Sequence, residues 1–199
     1  MYDKIPHYDK ISEVIIPQPI LDLFKDSAVK LKPNSAAQKV RDGIVYLGLR
    51  CGPCYTWEAL VHEMAHFIEI DEARMNRDAW GFKWPHDPEG RPMNFETSAH
   101  IEREVRVHAI SLHLFEYAGY RIDPEDLTES LHWMDYWSVY SEVEAIQIPE
   151  GEVLRSFKVF DRKMQIWGAQ KVREYYKNYN IDDILAEWRR RNDILKKKG

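Results

Sequence analysis

The sequence predicts a mainly α protein of the α+β kind: one helical domain over residues 1–199 with a small strand component and a C-terminal helical extension over about 123–199. Three observations lead there. Apolar residues recur at three- and four-residue spacing through most of the chain. Only one segment, GIVYLGL at Gly43–Leu49, is β-branched and aromatic enough to read as a strand. No internal repeat or low-complexity linker divides the chain, and 199 residues can bury one sizeable core.

The elements follow in order. Pro17–Lys32 carries Ile20, Leu23, Phe24 and Leu31 at near-helical spacing, with prolines at its start. KPNSAAQ, Lys32–Gln38, has loop composition. The strand Gly43–Leu49 leads into a helix over about Tyr55–Ile70. Trp80–Asn94, WGFKWPHDPEGRPMN, reads as a loop rich in Pro and Gly but also aromatic. Phe95–Tyr120 is a long helix stopped near Gly119. Asp123–Pro124 opens a further helix in a cap arrangement. Two more helices fill Glu152–Tyr179 and Ile181–Lys198.

With 44% hydrophobic and 31% charged residues, the composition is that of a folded domain rather than a disordered chain. The net charge of -5 gives no overall attraction to nucleic acid or to an acidic membrane, so neither is expected as a partner. No apolar run is long enough to span a bilayer, and MYDKIPHYDKISEV lacks a signal-peptide core, so a cytoplasmic location is expected. Oligomeric state is not legible. Seven Trp and eleven Tyr must largely enter the core or line a pocket.

Cys51-Gly-Pro-Cys54 has the spacing of dithiol redox proteins, with a strand before it and a helix after. A thioredoxin-like domain would need a βαβ unit around the motif, and later strands are missing. A second cysteine pair for structural zinc is also missing. The expected role is structural: Gly52 and Pro53 shape a strand-to-helix turn, and the cysteines pack as small buried side chains.

His62-Glu63-Met-Ala-His66 is an HExxH motif. On a helix, residues four apart share a face, so His62 and His66 can place two imidazoles on one metal, with Glu63 toward the open side as the catalytic carboxylate. The flanking Leu60, Val61, Met64, Ala65, Phe67 and Ile68 are uncharged. Two histidines and a glutamate on such a helix would be costly to bury without a partner. One HExxH class finds its third ligand in a histidine six positions after the second, with glycine at the third; here those positions hold Glu72 and Glu69. The other class takes a glutamate from a later helix, as in a zincin-like arrangement of an HExxH helix on a second ligand-bearing helix. Phe95–Tyr120 offers Glu96, Glu102 and Glu104 around an apolar face of Ile101, Val105, Ala109, Leu112 and Phe115. Glu104 and His108 lie on one edge of that face and Glu102 on the other. Periodicity does not choose between Glu104 and Glu102. His108, one turn beyond Glu104, would be a hydrogen-bond donor beside the site.

Taken together, Val61–Tyr120 resembles the elongation factor P hydroxylase family. The resemblance rests on His62-Glu63-x-x-His66-Phe67, Ala73-Arg74, Trp80-Gly81-Phe82-x-Trp84 and Gly90-Arg91, followed by Glu104-Val105-Arg106, Ala109 and Ala118-Gly119-Tyr120. It covers about a third of the chain. It implies a metal held by His62, His66 and Glu104, and oxygen-dependent hydroxylation of a modified lysine on a protein substrate, elongation factor P. A second stretch, Glu102-x-Glu104-x-x-x-His108-Ala109, is similar to the ligand helix of small HExxH peptidases related to phage-repressor and radiation-response regulators. That resemblance implies Glu102 as the ligand, but the chain departs from it at Val105 and His108.

Two histidines and a carboxylate make both a catalytic zinc set and the facial triad of non-haem iron oxygenases, so one divalent ion, Fe(II) or Zn(II), is expected. The alternative activity is a zinc metallopeptidase with Glu63 as general base. A second alternative is a non-catalytic binding module stabilised by its metal. Candidate pocket or supporting residues are His108, His100, Tyr117, Trp84 and His86. The basic end WRRRNDILKKKG reads as a solvated last turn that suits the helix dipole.

Overall fold

The computed structural model describes residues 5–31, 39–41, 44–51, 54–75, 98–125, 127 and 166–198. The protein is mainly helical with a small strand component, as expected. Helix α1 spans Gln18–Phe24, α2 Trp57–Glu69 and α3 Ser98–Tyr117; α4 covers 166–176 and α5 Ile181–Lys198.

The first helix is much shorter than the pattern over Pro17–Lys32 predicts. Pro19 sits in its first turn, but the chain leaves the helix after Phe24. Ser27 Oγ and Val29 N both donate to Asn192 Oδ1 on α5, which draws the segment away from helical geometry. Strand β1 (Lys30–Leu31) then pairs in parallel with β3 (Ile44–Leu47), and β2 (Lys39–Arg41) pairs antiparallel on its other side. The predicted strand is thus the centre of a three-stranded sheet.

A second, two-stranded ribbon joins β4 (Arg50–Cys51) to β5 (Cys54–Tyr55), with Cys51 and Cys54 as register partners. Cys51 and Cys54 therefore lie on paired strands ahead of the helix, whose geometry begins only at Trp57; Gly52 and Pro53, expected to shape the turn, and the cysteine side chains lie outside the described residues. Tyr55 also exchanges backbone hydrogen bonds with Tyr8, at 2.8 and 2.9 Å, which ties the N-terminal segment to the ribbon.

Helix α2 starts where Thr56, in extended conformation, accepts a hydrogen bond from Glu58 N through its side chain. It ends at Ile70, whose N–H donates to His66 O. Between these points Trp57, Glu58, Leu60, Val61, His62, Met64 to Ile68 are all buried, so the helix is covered nearly all round. Helix α3 is covered likewise: every residue from Val107 to Phe115 is buried, a wider belt than the one-sided apolar face read from its sequence. The two helices run antiparallel. Trp57 meets Phe115 edge to face at 5.3 Å at one end, and Glu69 meets Arg103 and Arg106 at the other.

Helix α3 stops as predicted. Gly119 adopts φ 89°, its N–H donates to Glu116 O, and Tyr120 N donates to Phe115 O. Both bonds of a Schellman ending are present, and only glycine takes that φ without strain. Asp123 Oδ1 then accepts from Glu125 N, the cap arrangement expected before Pro124. Helix α5 opens with Asn180 Oδ1 accepting from Asp183 N and packs Trp188 edge-on against Phe24 and Phe67, each at 5.4 Å. The predicted loops Lys32–Gln38 and Trp80–Asn94, and most of the segments after Pro124 and Glu152, lie outside the described residues.

No helix among the described residues is long and apolar enough to cross a membrane.

Candidate metal centre

The site forms where the middles of α2 and α3 cross. Helical spacing puts Glu58, His62 and His66 on one face of α2, and Glu104 and His108 on one face of α3. All five are buried. His62 Nε2 and His66 Nε2 are 3.0 Å apart. Glu104 Oε2 lies 3.7 Å from His62 Nε2, and Glu104 Oε1 lies 3.4 Å from His66 Nε2. His108 stands beside His62, ring centroids 5.3 Å apart.

These separations fit one ion. Two donors bound at about 2.1 Å with a tetrahedral angle lie about 3.4 Å apart, and no two donors on such an ion exceed about 4.2 Å. The His62, His66 and Glu104 donors, at 3.0–3.7 Å, meet this without movement. A second grouping, His62, Glu104 and His108, has its ligand atoms within 4.8 Å of one another. Both share His62 and Glu104, and this buried cluster can bind one metal ion.

The surroundings fix the helices that carry these donors. Glu69, at the end of α2, accepts from Arg106 Nε at 2.8 Å and pairs with Arg103 Nε at 2.9 Å. The two arginines flank Glu104 in sequence, so this bridge sets the register of Glu104 against His66. At the same end, Arg191 of α5 reaches in. Its Nη1 donates to Phe67 O at 2.9 Å and to Ile70 O, and its Nε donates to Glu187 Oε1 at 2.5 Å. The last carbonyls of a helix lack intrahelical partners, and a buried guanidinium supplies them here. At the other end Glu58 lies 3.4 Å from His7 Nε2.

Of the residues singled out in the sequence, His62, His66, Glu104 and His108 come together. Glu63 is half-buried on α2 between the two histidines. Tyr117 does not belong to the site: it lies thirteen residues beyond Glu104, about 20 Å along the helix axis. It is 38% exposed and lines a cleft with Asp22, Trp188 and Asn192. His100 and Glu102 fall in the first turns of α3, but their side chains lie outside the described residues, as do Trp84 and His86 altogether. Sequence reasoning missed Glu58 and Arg191. Glu58 carried a signal, since it stands one turn before His62 on the same face. Arg191 carried none, being one of three successive arginines that read as solvated.

The chain matches no family model, no curated protein and no solved structure.

Proposed function

We propose that the chain is a metal-dependent enzyme that hydroxylates a modified lysine on a protein substrate with dioxygen, as the resemblance to the elongation factor P hydroxylase family implies. Elongation factor P is the substrate that resemblance names. The observation that supports this reading is the convergence of His62, His66 and Glu104, the carboxylate this resemblance requires, within 3.0–3.7 Å.

His62, His66 and Glu104 would hold the ion, and Fe(II) bound there supplies the redox chemistry with dioxygen. The chain's own residues do the rest. His62 and His66 present ring nitrogens from successive turns of α2, and Glu104 brings the negative charge that offsets the cation. The donors are themselves buried, at 3–5% exposure, so bulk water is largely excluded from them. Glu63, half-buried and next to His62, is the carboxylate placed to hold or hand on a proton. Inserting one oxygen atom into a C–H bond sends the other to water and consumes two electrons, so the reaction needs an added reductant.

The test is to load the chain anaerobically with Fe(II), then add reductant, air and elongation factor P carrying its modified lysine. The expected product gains one oxygen atom on that lysine, and Glu104→Ala gives none. A fully loaded chain that oxidises no lysine on any protein substrate would overturn the reading.

Glu63 also favours a second reading, a zinc metallopeptidase in which this carboxylate serves as general base. Under it, Glu63→Gln keeps the metal and abolishes proteolysis; undiminished proteolysis by that variant rules it out. A non-catalytic, metal-stabilised binding module differs from both: metal removal would unfold the chain while Glu63→Gln changed no measurable activity.

A further inference from the structure

We infer that His108 is a fourth protein ligand, so that the centre is a three-histidine, one-glutamate site. The inference rests on the metal-site reading above and deepens it. His108 is 0% exposed and stands one turn after Glu104 on the same face of α3. Its ligand atom, with those of His62 and Glu104, falls in a group whose members all lie within 4.8 Å of one another.

The ring geometry argues for a shared ion. Two imidazoles bound at about 2.1 Å place their ring centroids about 4.6 Å apart at a right angle and about 5.3 Å apart at a tetrahedral angle. The His62–His66 rings are 4.5 Å apart and the His62–His108 rings 5.3 Å apart. Each pair has the spacing of two rings on one ion, and His62 is common to both. Glu104 lies 3.7 Å from His62 Nε2 and 3.4 Å from His66 Nε2 and also belongs to the group with His108, so His62 and Glu104 are common to both sets of donors.

A fourth protein ligand bears on the chemistry. Four protein donors close a tetrahedral zinc ion, as in structural zinc sites, whereas a peptidase keeps one position open. A six-coordinate ion retains two open positions after four protein donors. Ligation by His108 therefore favours a six-coordinate metal such as Fe(II) and sets the oxygenase reading apart from the peptidase reading.

X-ray absorption of the cobalt-loaded wild-type chain counts bound imidazoles directly and needs no variant to fold. The expected count is three, falling to two in His108→Gln. Co(II) affinity should drop by at least roughly 100-fold in that variant, at or beyond the limit of the about 10–100-fold that accompanies loss of a ligand's hydrogen-bonding neighbour. A count of two imidazoles in the loaded wild type overturns the role of His108 and leaves the His62, His66 and Glu104 site standing. A wild-type chain that takes up no Co(II) overturns both.

Discussion

Replacing Arg191 with methionine removes a cation from the end of the metal helix while keeping an unbranched apolar stem of similar length. The wild-type side chain is 8% exposed and gives hydrogen bonds to Phe67 O and Ile70 O. In Arg191→Met both carbonyls lose this donor in a buried setting, at about 1–3 kcal/mol each. Loss of a cation at a helix C-terminus adds about 0.3–1 kcal/mol. Glu187 does not add a further penalty, because Arg190 still pairs with it at 2.7 Å. The sum is about 2–7 kcal/mol, a large share of the roughly 5–15 kcal/mol that stabilises an ordinary domain. Urea unfolding of wild type and Arg191→Met, analysed at equal slopes, measures the difference. Metal affinity should fall as well, since Ile70 N closes the last turn of α2 on His66 O. A loss below about 1 kcal/mol would refute the claim that Arg191 holds this helix end.

Other consequences can be measured with the same methods. The Glu187 carboxyl is held at about 2 by its hydrogen bond from Arg190, with Arg191 adding to the effect. A depressed folded value means that this stabilisation is complete above about 4.5, the ordinary value, and disappears as pH falls through about 2. With the side chain 29% exposed, about 1–2 kcal/mol is expected after solvent screening. The stability gap between wild type and Glu187→Gln should therefore shrink from pH 5 toward pH 2 in acid unfolding, each pH value being about that set by the shift; parallel curves would refute it. Trp57→Ala deletes a fully buried ring packed on Phe115 and Tyr120 and should cost about 3–5 kcal/mol in urea, against which a loss under about 1 kcal/mol would speak. Thr56→Ala removes the side-chain cap of α2 and should cost about 1 kcal/mol, with Thr56→Ser restoring most of it.

The parts of the fold that the sequence disclosed are those specified locally. Helices α2 and α3 carry long apolar periodicity, a motif with its own spacing and a glycine that needs positive φ. Their pairing could be anticipated because HExxH demands a third donor. The short strands were not legible. Lys30–Leu31 and Arg50–Cys51 are two residues each, too short for any alternating pattern, and they become strands only by pairing with partners. The early end of α1 has the same origin, in hydrogen bonds to Asn192 more than 160 residues away. In the site, Glu104 was one of two carboxylates that periodicity left open; its oxygens lie 3.4 and 3.7 Å from the His66 and His62 rings, while the Glu102 side chain lies outside the described residues. Arg191 was hidden among charged neighbours because its burial depends on where α5 docks.

The most direct test of the metal centre is the metal content of the chain purified without oxygen or chelator, for wild type, Glu104→Ala and Glu102→Ala. The account predicts close to one ion per wild-type chain, retained in Glu102→Ala and lost in Glu104→Ala while that variant stays folded. A wild-type chain without metal, or a Glu104→Ala variant that keeps its full complement, would contradict it.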